Sequence, residues 1–270
     1  MSLYDNKIIA SLQEQLGDYK NVASAFVSTA KPTIVQVKIV GADYIWAALT
    51  DVEGHEAFGR VLKGVMKKLC NEVPNSVVGM LQWDTITVLM QQNSEETWLG
   101  CSVSRIISKV ISVAAMEFML LWRKEVEYSN WFWYINLDTV GLEFTASAFN
   151  IEPANVPKLF QLEEYLARRN SLETGCEVWL NNGSKYVGKG YEPDALLDKL
   201  ASMRRKWSDV PAEYRQGVLC VPTNEQRFVV QNIETGVEES LGFLPTVFTA
   251  VREKKPDWRD ILEAAFLRSF

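Results

Sequence analysis

The chain has 270 residues, 47% of them hydrophobic, with 28 Lys and Arg against 34 Asp and Glu and a formal net charge of −6. That composition suits a globular protein with a sizeable core and excludes a general nucleic-acid coat or a polybasic membrane binder, though not a local basic groove. A single histidine, His55, excludes zinc sites built from several imidazoles and every histidine-based triad that does not use it.

In chain order, the opening MSLYDNKIIASLQEQ is polar and periodic, without the basic-then-apolar layout of a signal peptide. Helical spacing runs over residues 3–28 through Ile8, Ile9, Leu12, Leu16, Tyr19, Val22 and Phe26. TIVQVKIV, Thr33 to Val40, is β-branched with apolar positions on both faces, as in a central strand, and Gly41 closes it. Residues 55–70 carry the core-facing stripe Phe58, Val61, Leu62, Val65, Met66 and Leu69. Val77 to Met90 reads as a β-hairpin bending near Gln82, Trp83 and Asp84.

Residues 103–122 form a second long helix. Its greasiest part, Val110 to Trp122, is interrupted by Ser112 and Glu117 and is too short to span a bilayer. Phe144 to Phe149 is a further strand. Beyond it, helices are expected at Glu163–Asn170 and Ala195–Lys206, strands at Gly217–Pro222 and Phe228–Asn232, and a terminal helix within Pro256–Phe270. The WFWY run at Trp131 to Tyr134 reads as a buried or subunit-facing strand. Cys70, Cys101, Cys176 and Cys220 form no CxxC pair, so free thiols and a cytoplasmic location are expected.

A strand ending at Gly41, an amphipathic helix and a hairpin tipped by Asp84 form the layout of a polymerase or cyclase palm. MKKLCNEVPNSVVGMLQWDTITVLM, Met66 to Met90, resembles the matching region of the histidine-tRNA guanylyltransferase-like family, the 3′-to-5′ nucleotide-adding polymerases, through Gly79, Gln82, Asp84 and Ile86. Further blocks follow in the family's order. They are IVQVKIVGADY, SKVISVAAMEF (Ser108, Lys109, Ser112, Ala115), FTASAFNI (Phe144, Ala146, Phe149, Asn150), QLEEYLARR (Tyr165, Arg168) and KWSDVPAEYRQGVLCV (Trp207, Pro211, Tyr214, Gly217). The resemblance covers roughly residues 10–235.

The resemblance implies an α+β fold: a palm-like (ferredoxin-like) antiparallel sheet with helices on one face, plus a C-terminal α/β elaboration. It also implies a palm domain with inserted helices over 1–235; residues 236–270, where the resemblance fades, are expected to form a helical extension. The family holds divalent ions and a triphosphate with a pair of carboxylates. Here Val40 stands at the first carboxylate and Gly41 is retained, while the hairpin triplet has become Trp83, Asp84 and Thr85. The family's Asp-Ala-Arg is Thr145, Ala146, Ser147, and further polar positions are Ile45, Ser171 and Gly175.

By this reading the chain is a catalytically degenerate relative that binds nucleotide, RNA or a protein partner without turnover. Two alternatives stand beside it: an active nucleotidyltransferase with a rebuilt site, and a structural protein whose cleft is filled by Trp83 and Val40. The resemblance assigns Asp84 and the Gly41 carbonyl to metal, and Asp43, two residues past Gly41, is a candidate displaced carboxylate beside its reading as a turn or helix-start residue. It assigns Gly41, Ser108 and Lys109 to nucleotide, while the short basic runs Arg168–Arg169 and Arg204–Arg205 are candidates for nucleic-acid phosphates, with solvated helix faces as the alternative. Mg²⁺ is expected to be weakly held or dispensed with, and the assembly to be a homo-oligomer, a dimer or tetramer, away from membranes.

Overall fold

The computed structural model describes residues 6–21, 24–49, 52–91, 97–128, 137, 141–181, 193–202, 206, 214–215, 217–222, 228–232 and 238–239. Six helices and seven strands are found among them: α1 (Asn6–Asn21), β1 (Thr33–Val40), α2 (Ala42–Ala48), α3 (Val52–Glu72), β2 (Ser76–Gln82), β3 (Thr85–Met90), α4 (Val103–Tyr128), β4 (Glu143–Asn150), α5 (Val156–Asn181), α6 (Pro193–Ser202), β5 (Val218–Pro222), β6 (Phe228–Asn232) and β7 (Glu238–Glu239). The strands form one sheet in the order β4-β1-β3-β2-β5-β6-β7, and every neighbouring pair is antiparallel.

The expected α+β antiparallel sheet is present, but its helices are not confined to one face. Along β1 the odd residues Val35, Val37 and Ile39 pack with Ile86 and Val88 of β3 against α2, α3 and α4, around Trp46, Phe58, Leu62, Met66 and Phe118. On the opposite face Ile34, Val78, Met80 and Leu89 meet Ile9, Leu12 and Leu16 of α1 and Val156, Leu159 and Phe160 of α5. The cause lies in the strand: β1 is apolar at both odd and even positions near its start, so each face demands a cover.

Towards its other end the even face of β1 turns polar, with Gln36 and then Lys38 following Ile34. Strand pairing sets Gln36 beside Thr87 and Ser147, and Lys38 beside Thr85 and Thr145. The α5 side of the sheet is thus greasy where α1 crosses it and polar towards the hairpin tip. β7 carries the sheet past residue 235, so its last described strand comes from the segment expected to be an extension. The WFWY run and the expected terminal helix lie outside the described residues.

Candidate functional site

The β2–β3 hairpin closes through two residues, Trp83 and Asp84, with Gln82 and Thr85 as the last paired residues. Trp83 adopts a positive φ of 54°, which turns the chain tightly enough to send the two side chains to opposite faces. Trp83 goes to the α2 and α3 side and is buried. There its ring centroid lies 5.2 Å from that of Trp46 and 5.3 Å from that of Tyr214.

His55 completes the group. Its ring lies 3.7 Å from Trp46, its Nε2 is 3.1 Å from the Trp46 carbonyl, and the Tyr214 hydroxyl donates to the His55 carbonyl at 2.7 Å. The sole histidine is a packing residue of this cluster.

Asp84 goes to the other face. The Ile39 amide donates to its carbonyl at 2.8 Å, fastening the hairpin tip to the end of β1. Here the sheet and α5 border an open cavity of about 380 Å³, lined by Gln36, Lys38, Gln82, Asp84, Thr85, Thr145, Ala146, Ser147, Glu163, Leu166 and Asn170. Its floor is a buried polar network. Gln36 Nε2 donates at 2.9 Å both to Thr87 Oγ1 and to Glu163 Oε1. The Gln82 amide, oriented by its partners, donates to Glu163 Oε2 at 2.5 Å and accepts from the Ala167 amide at 3.2 Å and Asn170 Nδ2 at 3.1 Å. Two glutamines, one on each of two strands, thus hold a carboxylate that α5 delivers.

Thr85 Oγ1 donates to Asp84 Oδ1 at 2.8 Å, and Lys38 Nζ stands 3.6 Å from Asp84 Oδ2. Burial nonetheless pushes the Asp84 carboxyl above its ordinary value of 3.8. Thr85 and Lys38 pull it back, and the like charge of Asp43 adds a small upward push. An acid whose folded pKa is raised is easier to ionise in the unfolded chain. Its ionisation therefore costs stability as pH rises from the ordinary carboxylate value through the raised one. Asp84→Asn is accordingly expected to be more stable than wild type at pH 7, and the difference should close as pH falls to about 4, read by urea melts across that range.

Gly41 sits at φ 92°, capping α2, and its carbonyl accepts from the amides of Tyr44 (3.1 Å) and Ile45 (3.3 Å). Asp43 is exposed in the first turn of α2. Val40, 37% exposed, falls on the same strand parity as Lys38, and its side chain carries no oxygen. A Mg²⁺ ion wants near-octahedral oxygen ligation. This corner offers the Asp84 carboxylate, already facing an ammonium, the Asp43 carboxylate, exposed on α2, and a glycine carbonyl already taking two helix amides. Among the described residues no three His, Cys, Asp or Glu side chains converge on a metal position. The residues present do not fit the ion.

The remaining expected site residues lie elsewhere. Ser108 and Lys109 are exposed on α4, and Lys109 Nζ is 4.0 Å from Glu72 Oε2. Glu72 ends α3 just before β2 begins, whereas Asp84 follows the end of β2, a strand length of about 20 Å away. Lys109 and Asp84 therefore do not share a site. Arg168 pairs with Glu164 and Arg169 with Glu173 (2.9 Å), each one turn apart on α5. Both guanidinium groups are turned to their own helix. Arg204 and Arg205 lie outside the described residues.

Gln36 and Glu163 were not foreseen as site residues. Their signal is a glutamine in a strand whose one charged residue is Lys38, and an acid on the buried face of a helix.

The fold is shared with solved structures. A bacterial tRNA(His) guanylyltransferase-like protein in complex with ATP superposes with a TM-score of 0.61 at 17% identity, covering 83% of this chain and 91% of that one. Such a protein in complex with GTP gives 0.55 at 15% identity, covering 82% and 91%. The tRNA(His) guanylyltransferase of Saccharomyces cerevisiae gives 0.54 at 12%, covering 74% and 90%. The chain has the guanylyltransferase-like palm fold. No protein-family model matches the sequence, and no curated protein matches it at significance. At these identities the likeness is one of fold, and no helix among the described residues is long and apolar enough to cross a membrane.

Proposed function

We propose that this protein is a catalytically degenerate relative of the tRNA(His) guanylyltransferase-like proteins, which keeps the palm fold and binds nucleotide, RNA or a protein partner without turnover. The observation that carries this reading is the corner where chemistry would occur. Val40 brings no side-chain ligand, and the group paired with Asp84 at 3.6 Å is the Lys38 ammonium, while Asp43 is exposed on α2. Two-metal phosphoryl transfer depends on cations that clamp the attacking and leaving oxygens. Losing several kcal/mol of that stabilisation, at about 1.4 kcal/mol per factor of ten, slows the reaction by orders of magnitude.

A rebuilt metal site drawing on Asp43 and the Gly41 carbonyl is disfavoured by the helix bonds that this carbonyl accepts. The filled-cleft reading gains support on one face only, where Trp83 is buried against Trp46, while the cavity on the other face stays open.

The test is nucleotide addition with α-labelled GTP or ATP, Mg²⁺ or Mn²⁺, and 5′-phosphorylated histidine tRNA, beside an active guanylyltransferase. No label above background is expected. Label on the tRNA that Asp84→Ala abolishes would establish the rebuilt enzyme instead. A homo-oligomer in the cytoplasm belongs to the same proposal. Met116, Met119 and Leu120 form an exposed apolar strip on α4 that suits a subunit contact. Light scattering should give a multiple of 30.7 kDa, and a mass equal to one chain would contradict it.

A further inference from the structure

We propose that the cavity between the sheet and α5 is a site for a small organic cation, an amine or guanidinium compound, in preference to a nucleoside triphosphate. The cavity wall carries two carboxyl groups, Asp84 and the buried Glu163 that Gln36 and Gln82 hold, against one ammonium, Lys38, a formal excess of one negative charge. Its other polar groups, among them Gln36, Gln82 and Asn170, are amides and hydroxyls that donate or accept as required. A polyanion entering here would meet like charge, and the arginines of α5 nearest in sequence, Arg168 and Arg169, are engaged by Glu164 and Glu173.

A cation meets the opposite situation. Lys38 is half exposed and stands 3.6 Å from Asp84 Oδ2, a loose pair that an incoming ammonium or guanidinium can replace without breaking a short bond. Asp84 is largely withdrawn from water, where a close positive charge acts more strongly than at the open surface. Leu166 and Ala146 supply apolar wall for a carbon chain. The volume of about 380 Å³ falls in the usual range of small-molecule sites, about 300–1,000 Å³.

The inference rests on the reading that Asp84 holds no metal, since a metal-loaded corner would draw triphosphate into the same space. It is tested by calorimetry and thermal unfolding of the full chain with putrescine and agmatine as cationic probes. Metal-free ATP and GTP serve as anionic probes, and guanosine as the uncharged one. One of the amines is expected to bind at least tenfold more tightly than either nucleotide or guanosine, less tightly as salt is raised. Its affinity should fall at least tenfold in Glu163→Gln.

Leu166→Trp, which fills the cavity but leaves both carboxylates in place, should cause a similar loss and decides the matter if Glu163→Gln fails to fold. Tighter binding of ATP, GTP or guanosine, no binding of either amine, or amine binding unchanged by Leu166→Trp would overturn the cation site. Label in the nucleotide-addition assay would overturn the metal-free reading beneath it, whereas silence there with no amine bound would overturn the cation site alone.

Discussion

Trp83→Ala is expected to cost about 3–5 kcal/mol of folding stability, the range for emptying a buried aromatic position. Trp83 is only 6% exposed although it occupies a hairpin turn, a place where large apolar residues usually meet water. Its ring bears edge-on against Trp46 and Tyr214, and Trp46 in turn packs at a tilt against His55, so one truncation removes support from two rings directly and from a third through Trp46. These partners come from α2, α3 and the segment before β5, which cannot close over the gap together. At roughly 2–4 °C per kcal/mol for a chain of this size, the melting midpoint should drop by about 10 °C in calorimetry. A fall equivalent to less than about 1 kcal/mol would mean that the cluster is a loose cover and not part of the core.

Gly79→Ala is expected to destabilise by about 1–3 kcal/mol, as an overpacked core position does. A methyl group at Gly79 would lie 2.3 Å from Cys70 Sγ and 3.3 Å from Cys220 Cβ, with Met66 Cγ at 3.6 Å behind them. The sulfur has nowhere to retreat, since Cys70 is buried in α3 and hydrogen-bonded to Cys220. That bond, and then burial, push the Cys70 thiol well above its ordinary value, so it remains a neutral packing group. Cys70→Ala removes the clashing atom. The double variant Gly79→Ala with Cys70→Ala should therefore be more stable than the sum of the two single losses predicts, by about 0.5–3 kcal/mol in urea melts. Strict additivity would show that the strain is absorbed elsewhere.

The hairpin tip was readable from the sequence because alternation breaks there: polar Gln82 and Asp84 interrupt two apolar runs, and the strands end within a residue or two of the expected places. Helix α3 was equally plain, its stripe of Phe58, Val61, Leu62, Val65, Met66 and Leu69 lying wholly inside Val52–Glu72. Of α5 the sequence pattern shows only Glu163–Asn170, a fragment of Val156–Asn181, because its apolar residues spread around the helix where α1, the sheet and α6 all meet it. That spread also concealed the second helical layer.

The site was harder to read. Gln36 and Glu163 are 127 residues apart and acquire meaning only when β1 and α5 bring them to 2.9 Å. Resemblance placed Lys109 beside the triphosphate, yet helix direction sets it at the opposite end of β2 from Asp84, a distinction that no local pattern contains.

The position of β1 also has a consequence for synthesis. It lies between β3 and β4, pairing Thr33 with Met90 on one edge and with Asn150 on the other. A nascent chain can therefore satisfy one edge of TIVQVKIV once the hairpin has emerged, but the other edge waits until residue 150 has left the ribosome. During that interval an apolar strand with open backbone donors and acceptors is exposed, the condition under which strands pair with the wrong partner. A chain stopped at residue 140 is expected to sediment with aggregates, and its full-length counterpart to stay in solution. The last residue needed to protect the first strand lies past the midpoint of the protein, so the yield of folded molecules should depend on how quickly translation covers that distance.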